Sequence, residues 1–204
     1  MGKEKLGPPI LSWGVLLFFS LIAVPVSASE TGSVTGTARV RGVKNPQDAV
    51  IYIEKVEGQF QPAKAPVLID QIKRTYVPHV VGALVGSTIE YHNSDKDLHN
   101  IHAIQRRRKI FNFGILPERR VRKKVKRVGL VTLLCDVHPE MSAYIVVTQN
   151  PFFTKPDNQG NFKIENVPPG TYTLVAWHEK RKSQKKKIKV PNGGEVKVNF
   201  ELRR

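Results

Sequence analysis

Short runs of β-branched and apolar residues, separated by turn residues, recur along most of the chain. Typical runs are residues 49–54, 83–91, 129–134 and 143–147, with glycine, proline, asparagine or aspartate between them. Runs of this length and composition are typical of strands that are buried on one or both faces. After residue 28, no stretch shows the longer apolar period of an amphipathic helix. The pattern therefore predicts an all-β chain built as a sandwich or barrel.

The segment Cys135-Asp-Val-His-Pro-Glu-Met141 joins two of these predicted strands and carries three metal-ligand side chains. Cys135 is the only cysteine, and Met141 is the only methionine besides Met1. A thiolate, two imidazoles and a more distant thioether suit copper electron-transfer sites. The second imidazole has to come from elsewhere, and the best candidate is His99, which follows the predicted strand of residues 87–91.

These residues resemble the copper site of the cupredoxins, the blue-copper family that includes plastocyanin. The resemblance covers about residues 66–149 and implies a Greek-key β-sandwich. It implies that His99, Cys135 and His138 are equatorial copper ligands and that Met141 is axial. It also implies that Asn100 makes hydrogen bonds around the thiolate and braces the two ligand loops. Two residues separate His138 from Met141, fewer than plastocyanin-like loops usually have.

Two other interpretations of the same residues remain open. His99, His102, Cys135 and His138 could close a tetrahedral zinc site, with Met141 as a core residue. A lone cysteine and a methionine beside a proline are also common as plain core residues. With a zinc site, the protein would be a zinc-stabilised structural or envelope-binding module. Copper delivery or storage is a further alternative to electron transfer.

Residues 1–28 are predicted to be a signal peptide. A short basic start precedes a largely apolar stretch from Ile10 to Val26, and small residues follow before Ser29. A retained membrane anchor is the alternative, because the apolar stretch is close to the minimum length that spans a bilayer. A periplasmic or otherwise exported protein with one cysteine has no disulfide to form within the chain, so metal ligation would explain the thiol.

The chain is strongly basic, with a formal net charge of +16. Basic residues are concentrated in residues 105–127 and again in Lys180–Lys189. Such charge favours association with anionic partners, so we expect an acidic redox protein or an anionic envelope surface. Export argues against nucleic acid as the partner, and the sequence does not predict the oligomeric state.

The stretch from Lys155 to Glu179 contains a second motif, with Asp157, Gly160 and Phe162 followed by Pro168-Pro-Gly-Thr-Tyr172. It resembles the carboxypeptidase regulatory-like, or transthyretin-like, β-sandwich, whose members are mostly structural or binding modules. Residues 150–204 are few for a complete sandwich. We therefore expect residues 29–65, an N-terminal β segment, to supply its missing strands, with the copper domain of residues 66–149 inserted between the two parts.

These features together predict an exported, single-copper electron carrier rather than an enzyme. The sequence has no serine–histidine–aspartate layout, no pair of carboxylates suited to acid–base catalysis and no glycine-rich phosphate loop. The four expected ligands would leave little room for a substrate on the metal.

Overall fold

The computed structural model describes residues 1–2, 30–43 and 46–204. The predicted signal peptide lies outside the described residues except for its first two. Among the described residues, no helix is long and apolar enough to cross a membrane.

The described residues form seventeen strands and one short 3-10 helix, Pro46–Asp48, so the all-β prediction is confirmed. The strands are β1 Gly32–Val40, β2 Val50–Ile53, β3 Val67–Ile72, β4 Thr75–Val77, β5 Val80–Leu84, β6 Thr88–Asn93, β7 His99–Gln105, β8 Arg108–Ile115, β9 Arg120–Lys124, β10 Gly129–Leu134, β11 Ser142–Thr148, β12 Phe153–Thr154, β13 Asn161–Val167, β14 Gly170–His178, β15 Arg181–Val190, β16 Glu195–Lys197 and β17 Phe200–Leu202.

Strands from the middle of the chain form the first sandwich. One sheet has the order β5-β11-β10-β7-β8 and the other has the order β4-β3-β6-β9. Their facing side chains make one buried cluster that includes Ile69, Tyr91, Ile101, Leu133 and Ile145. This sandwich is called the metal sandwich below, because it carries all the proposed ligands.

Strands from the two ends of the chain share the second sandwich. Strand β1 pairs with β13, and β2 pairs with β14, and both pairs are antiparallel. The two sheets have the orders β13-β1-β16, with β17 also paired to β1, and β12-β2-β14-β15. The chain therefore begins in this terminal sandwich, builds the metal sandwich, and returns.

Side chains of the motif between Asp157 and Tyr172 stabilise turns of the terminal sandwich. The Asp157 carboxylate accepts hydrogen bonds from the backbone N–H groups of Gln159 at 2.9 Å and Asn161 at 2.7 Å. The Tyr172 hydroxyl donates to the Pro168 carbonyl at 3.0 Å. Side chains that bond to nearby backbone in this way fix turn geometry, which explains why the motif specifies a fold and no activity.

The two sandwiches pack against each other through strand β11. Ala143, Ile145 and Val147 point into the core of the metal sandwich, whereas Val146 and Tyr144 face the terminal sandwich beside Val50, Phe153 and Trp177. A strand buried on both faces has a continuous apolar sequence, and this explains the run in residues 143–147. The His79 ring adds a polar contact across the interface, with Nε2 at 3.1 Å from the Glu179 carboxylate.

Candidate metal centre

The expected ligands lie where strands of one sheet end. His99 is the first residue of β7, Cys135 directly follows β10, and Met141 directly precedes β11. Strands β7 and β10 are antiparallel neighbours, with Leu134 opposite His102. The start of one strand and the end of the other therefore meet at the same end of the sandwich.

Three donor atoms converge at this end: the thiol of Cys135 and the Nδ1 atoms of His99 and His138. The Cys135 sulfur lies 3.9 Å from Nδ1 of His99 and 4.0 Å from Nδ1 of His138. The two nitrogen atoms are 2.9 Å apart. His99 and Cys135 are buried, and His138 is half-buried.

The triangle of donors has the size that a small metal ion requires. A point equidistant from the three atoms lies about 2.1 Å from each, close to the roughly 2.0–2.3 Å of metal–nitrogen and metal–sulfur bonds in proteins. The donor set is one thiolate and two imidazoles, which suits copper. The residues present therefore fit a single bound metal ion.

Asp95 fixes the orientation of the His99 ring. Its carboxylate lies 2.9 Å from Nε2 of His99. Because a carboxylate only accepts hydrogen bonds, Nε2 carries the proton and Nδ1 offers its lone pair to the centre. Carboxylates that orient metal-binding histidines in this way also raise their basicity.

The turn between β3 and β4 holds Asp95 in place. The backbone N–H groups of Lys73 and Arg74, both in left-handed conformations, donate to the Asp95 carboxylate at 2.6 and 2.8 Å. Burial by itself would raise the pKa of Asp95, but the hydrogen bonds from Arg74, His99 and Lys73 outweigh it and lower the pKa. Asp95 therefore remains an anion beside His99.

Asn100 joins the two ligand segments, as the resemblance implies. Its side-chain oxygen accepts a hydrogen bond from the backbone N–H of Asp136 at 2.6 Å, directly after Cys135. Its amide nitrogen donates to Asn112 at 2.7 Å and to the Asp136 carboxylate at 3.1 Å. The segment after Cys135 is thereby fixed to the start of β7.

Met141 is buried, with 2% of its surface exposed, in the same cluster as Cys135. Its backbone N–H donates to the His138 carbonyl at 3.0 Å, which closes a tight turn after the histidine. The short spacing between the two residues is accommodated by this turn. The axial role of the thioether remains a prediction.

His102 is not part of the group of converging donors. Residues three apart on a strand point to opposite faces, and His102 lies on the other face of β7 from His99. Its Nδ1 is 2.8 Å from the Asp136 carboxylate, and hydrogen bonds from His102 and Asn112 lower the pKa of Asp136. The four-ligand zinc set of the alternative interpretation is therefore not assembled.

Sequence reasoning missed three residues that shape the site: Asp95, Asp136 and Tyr76. The buried Tyr76 hydroxyl donates to the carbonyls of Asn100 at 3.0 Å and Leu134 at 3.1 Å, beside two of the ligands. Asp95 and Asp136 gave a weak signal, since they lie close to ligands in the sequence. Tyr76 gave none, because its contacts join residues far apart along the chain.

Comparison with known family models gives a match in the C-terminal part of the chain. Residues 138–203 match the family model of the carboxypeptidase regulatory-like domain. The match begins at His138, so it extends beyond the terminal sandwich into β11, which pairs with β10 in the metal sandwich. No curated protein matches the chain in sequence.

Solved structures similar to the chain include cupredoxins. A purple cupredoxin from Nitrosopumilus maritimus has 22% identity and a TM-score of 0.37, with 40% of this chain and 99% of that chain covered. A reduced amicyanin variant has 22% identity and a TM-score of 0.39, with 49% and 98% covered. A copper-containing nitrite reductase from Thermus scotoductus SA-01 has 19% identity and a TM-score of 0.39, with 54% and 28% covered. Both resemblances drawn from the sequence recur in these comparisons, but likeness at this level carries no functional argument.

Proposed function

We propose that the protein binds one copper ion and carries single electrons. The observation that supports this most strongly is the convergence of the Cys135 thiol with two imidazole nitrogen atoms in a largely buried pocket. A copper ion bound there would supply a one-electron couple whose potential depends on its ligands and on the shielding of the sulfur.

The chain's own residues would keep the ligand geometry constant while the charge on the metal changes. His99 and Cys135 are held at strand ends, Asp95 sets the ring of His99, and Asn100 fixes the backbone after Cys135. A site that does not rearrange between oxidation states loses little energy to reorganisation, because preorganised groups need no movement at the moment of transfer.

His138 provides the path for electrons to the surface. It is half-buried, whereas the other two donors are buried. Its neighbour Val137 and the residue before His99, Leu98, are each 48% exposed. Exposed apolar residues around a ligand edge offer a surface from which water is readily removed when a redox partner docks.

The protein is proposed to be a carrier and not an enzyme. His99, Cys135 and Met141 are all buried, and of the four expected ligands only His138 is partly exposed. A substrate would have to reach the metal past ligands that are packed in the core.

Export and an anionic partner are part of the proposal. Export rests on the predicted signal peptide, and a thiol engaged by metal is compatible with an oxidising compartment. The net charge of +16 favours an acidic redox protein or an anionic envelope surface.

Voltammetry together with metal analysis tests the proposed function. Protein loaded with copper should hold one ion per chain and give a reversible one-electron wave, and Cys135→Ser should give none. Loss of copper to a Cu(I) chelator immediately after reduction would argue for copper delivery. Protein that retains no copper after dialysis would refute the proposal.

A further inference from the structure

The metal sandwich has an open cleft at the edge where β8 of one sheet faces β9 of the other. Its cavity volume is about 790 Å³. Of the thirteen lining residues, seven are lysine or arginine and none is acidic. Arg106, Arg108 and Lys109 come from the β7–β8 hairpin, and Lys124, Lys126 and Arg127 come from the end of β9 and the segment after it. This region is called the basic cleft below.

The charges of the basic cleft are not neutralised within the protein. None of its seven cationic side chains forms an ion pair with a carboxylate of the described residues. By contrast, Arg120 and Arg122 on the outer face of β9 are both bound to the nearly buried Glu90, each at 2.6 Å. The basic cleft therefore concentrates free positive charge, and a cleft with charge of one sign attracts counter-ions strongly.

The hairpin turn of the basic cleft is built from unusual residues. Arg106 and Arg107 form the two-residue connection between β7 and β8, with φ values of 51° and 62°. Left-handed conformations at these positions normally favour glycine, asparagine or aspartate. Arg106 lines the basic cleft and adds to its charge, whereas Arg107 does not line it.

An unpartnered polar group lies at the inner wall of the basic cleft. Tyr91 lines the cavity and is fully buried, and its hydroxyl has no hydrogen-bond partner among the described residues. Its ring packs against Phe111 and Phe113, each with centroids 6.1 Å away. Buried hydroxyl groups in folded proteins are nearly always hydrogen-bonded, but this hydroxyl is enclosed by the core and is not exposed to the basic cleft.

We propose that the basic cleft binds a compact ligand that carries two or more phosphate groups. A phosphate ester carries about −1.5 to −2 charges at neutral pH, and several are needed to balance seven cations in this volume. Guanidinium groups bind phosphate oxygens through paired hydrogen bonds. The apolar wall of Ile110, Phe111 and Val131 would contact the uncharged part of the ligand.

This site is separate from the metal centre. The basic cleft includes Gln105 at the end of β7, whereas His99 is at its start. Six residues along a strand span roughly 20 Å. A ligand held in the basic cleft would leave the half-buried edge of His138 free at the opposite end of the sandwich. The inference is therefore independent of the identity of the metal.

Calorimetric titration with inorganic tripolyphosphate, at 0.15 M salt, tests this inference. We expect saturable binding of one tripolyphosphate per chain, weakened at least tenfold by Lys123→Gln together with Lys126→Gln, two lysines that line the cleft, since each lost charge-assisted hydrogen bond lowers affinity substantially. The matched control is Lys182→Gln together with Lys189→Gln, which removes the same charge from exposed positions of β15. Its affinity should remain within twofold of the wild type.

Tyr91→Phe is a second control, because it changes the inner wall of the basic cleft without changing its charge. Because the hydroxyl has no partner, its removal should leave the thermal midpoint of the free protein unchanged or slightly raised. The affinity for tripolyphosphate should remain within twofold of the wild type, because the hydroxyl is enclosed and does not contact the ligand. An affinity that is unaffected by the substitution of the two cleft lysines would overturn the proposal.

Competition measurements identify the source of the phosphate. Displacement of tripolyphosphate by vesicles of cardiolipin in phosphatidylcholine, but not by phosphatidylcholine alone, would indicate a lipid headgroup, because cardiolipin carries two phosphate groups. If neither vesicle competes, the ligand is a soluble phosphate ester. Poly-glutamate that binds as tightly as tripolyphosphate, or equal weakening by the control lysine pair, would contradict phosphate recognition and leave only attraction to general negative charge.

Discussion

At the scale of single residues, a substitution of Met141 can separate its packing in the core from its predicted role as an axial ligand. Its side chain is buried in the core cluster that also contains Cys135. Leucine preserves most of the apolar volume but removes the thioether. A change that conserves volume isolates the contribution of the sulfur.

For Met141→Leu we expect a loss in unfolding free energy below about 1.5 kcal/mol, as is usual for such exchanges. Copper binding and colour should persist while the reduction potential shifts, because an axial thioether tunes a copper site more than it holds the metal. Urea unfolding of the metal-free protein and voltammetry of the copper form are the measurements. An unchanged potential would leave Met141 as a core residue only.

Glu90 is nearly buried, with 4% of its surface exposed, and its carboxylate forms ion pairs with two exposed arginines. Hydrogen bonds from Arg120 and Arg122 lower its pKa, despite the opposing effect of burial. A carboxylate with a lowered pKa stabilises the fold above its ordinary pKa, and this contribution is lost as the pH falls through the lowered value.

Glu90→Gln should therefore be less stable than the wild type at pH 7, and the difference should shrink on acidification. Urea unfolding across this pH range measures it. The control is Glu57→Gln, since Glu57 forms an exposed pair with Lys55 and such pairs contribute little. A stability difference for Glu90→Gln that is constant down to pH 3 would refute the role of the ion pairs.

At the scale of elements, the alternation of strand faces decides which histidines meet. The sequence placed Cys135, His138 and Met141 between two clearly recognisable strands, and the structure brings Cys135 and His138 together with His99. It left His102 open, because residues 93–102 were not recognised as containing the start of β7. Once His99–Gln105 is a strand, His99 and His102 must face opposite sides. Contacts between distant elements, such as those of Tyr76 and of the Lys73–Arg74 turn, leave no local pattern from which to predict them.

The Asn100 side chain is expected to stabilise the connection between β7 and the segment after β10. Asn100→Ala leaves the backbone N–H of Asp136 without its acceptor, and we expect a loss of about 1–3 kcal/mol in unfolding free energy. Guanidinium unfolding measures this loss. Asn158→Ala, at an exposed turn position outside this hydrogen-bond network, is the control and should cost less. Equal losses of unfolding free energy in the two variants would contradict the expected role of the Asn100 side chain.

At the scale of the whole molecule, the two sandwiches pack against each other. Gly82 in β5 lies against the ring of Phe153, and an added Cβ would come within 2.6 Å of two ring carbons. Gly82→Ala should therefore force the sandwiches apart locally and destabilise the protein by about 1–3 kcal/mol, as overpacking does.

Denaturant unfolding of Gly82→Ala against Gly114→Ala tests this prediction. At Gly114 the nearest atom would be 3.7 Å from the new Cβ, an ordinary contact, so this control should change stability little. The copper spectrum should be the same in both variants, because neither position belongs to the ligand segments. A Gly82→Ala variant as stable as the control would indicate that the interface between the sandwiches is loose.

The absorption spectrum of protein with one equivalent of Cu(II) tests the central claim most directly. The account predicts an intense blue or green colour from charge transfer between the Cys135 thiolate and copper. The colour should be absent in Cys135→Ser, absent or severely altered in His99→Ala and His138→Ala, and retained in His102→Ala. A colourless copper protein that binds zinc tightly only when His102 is present would contradict the account.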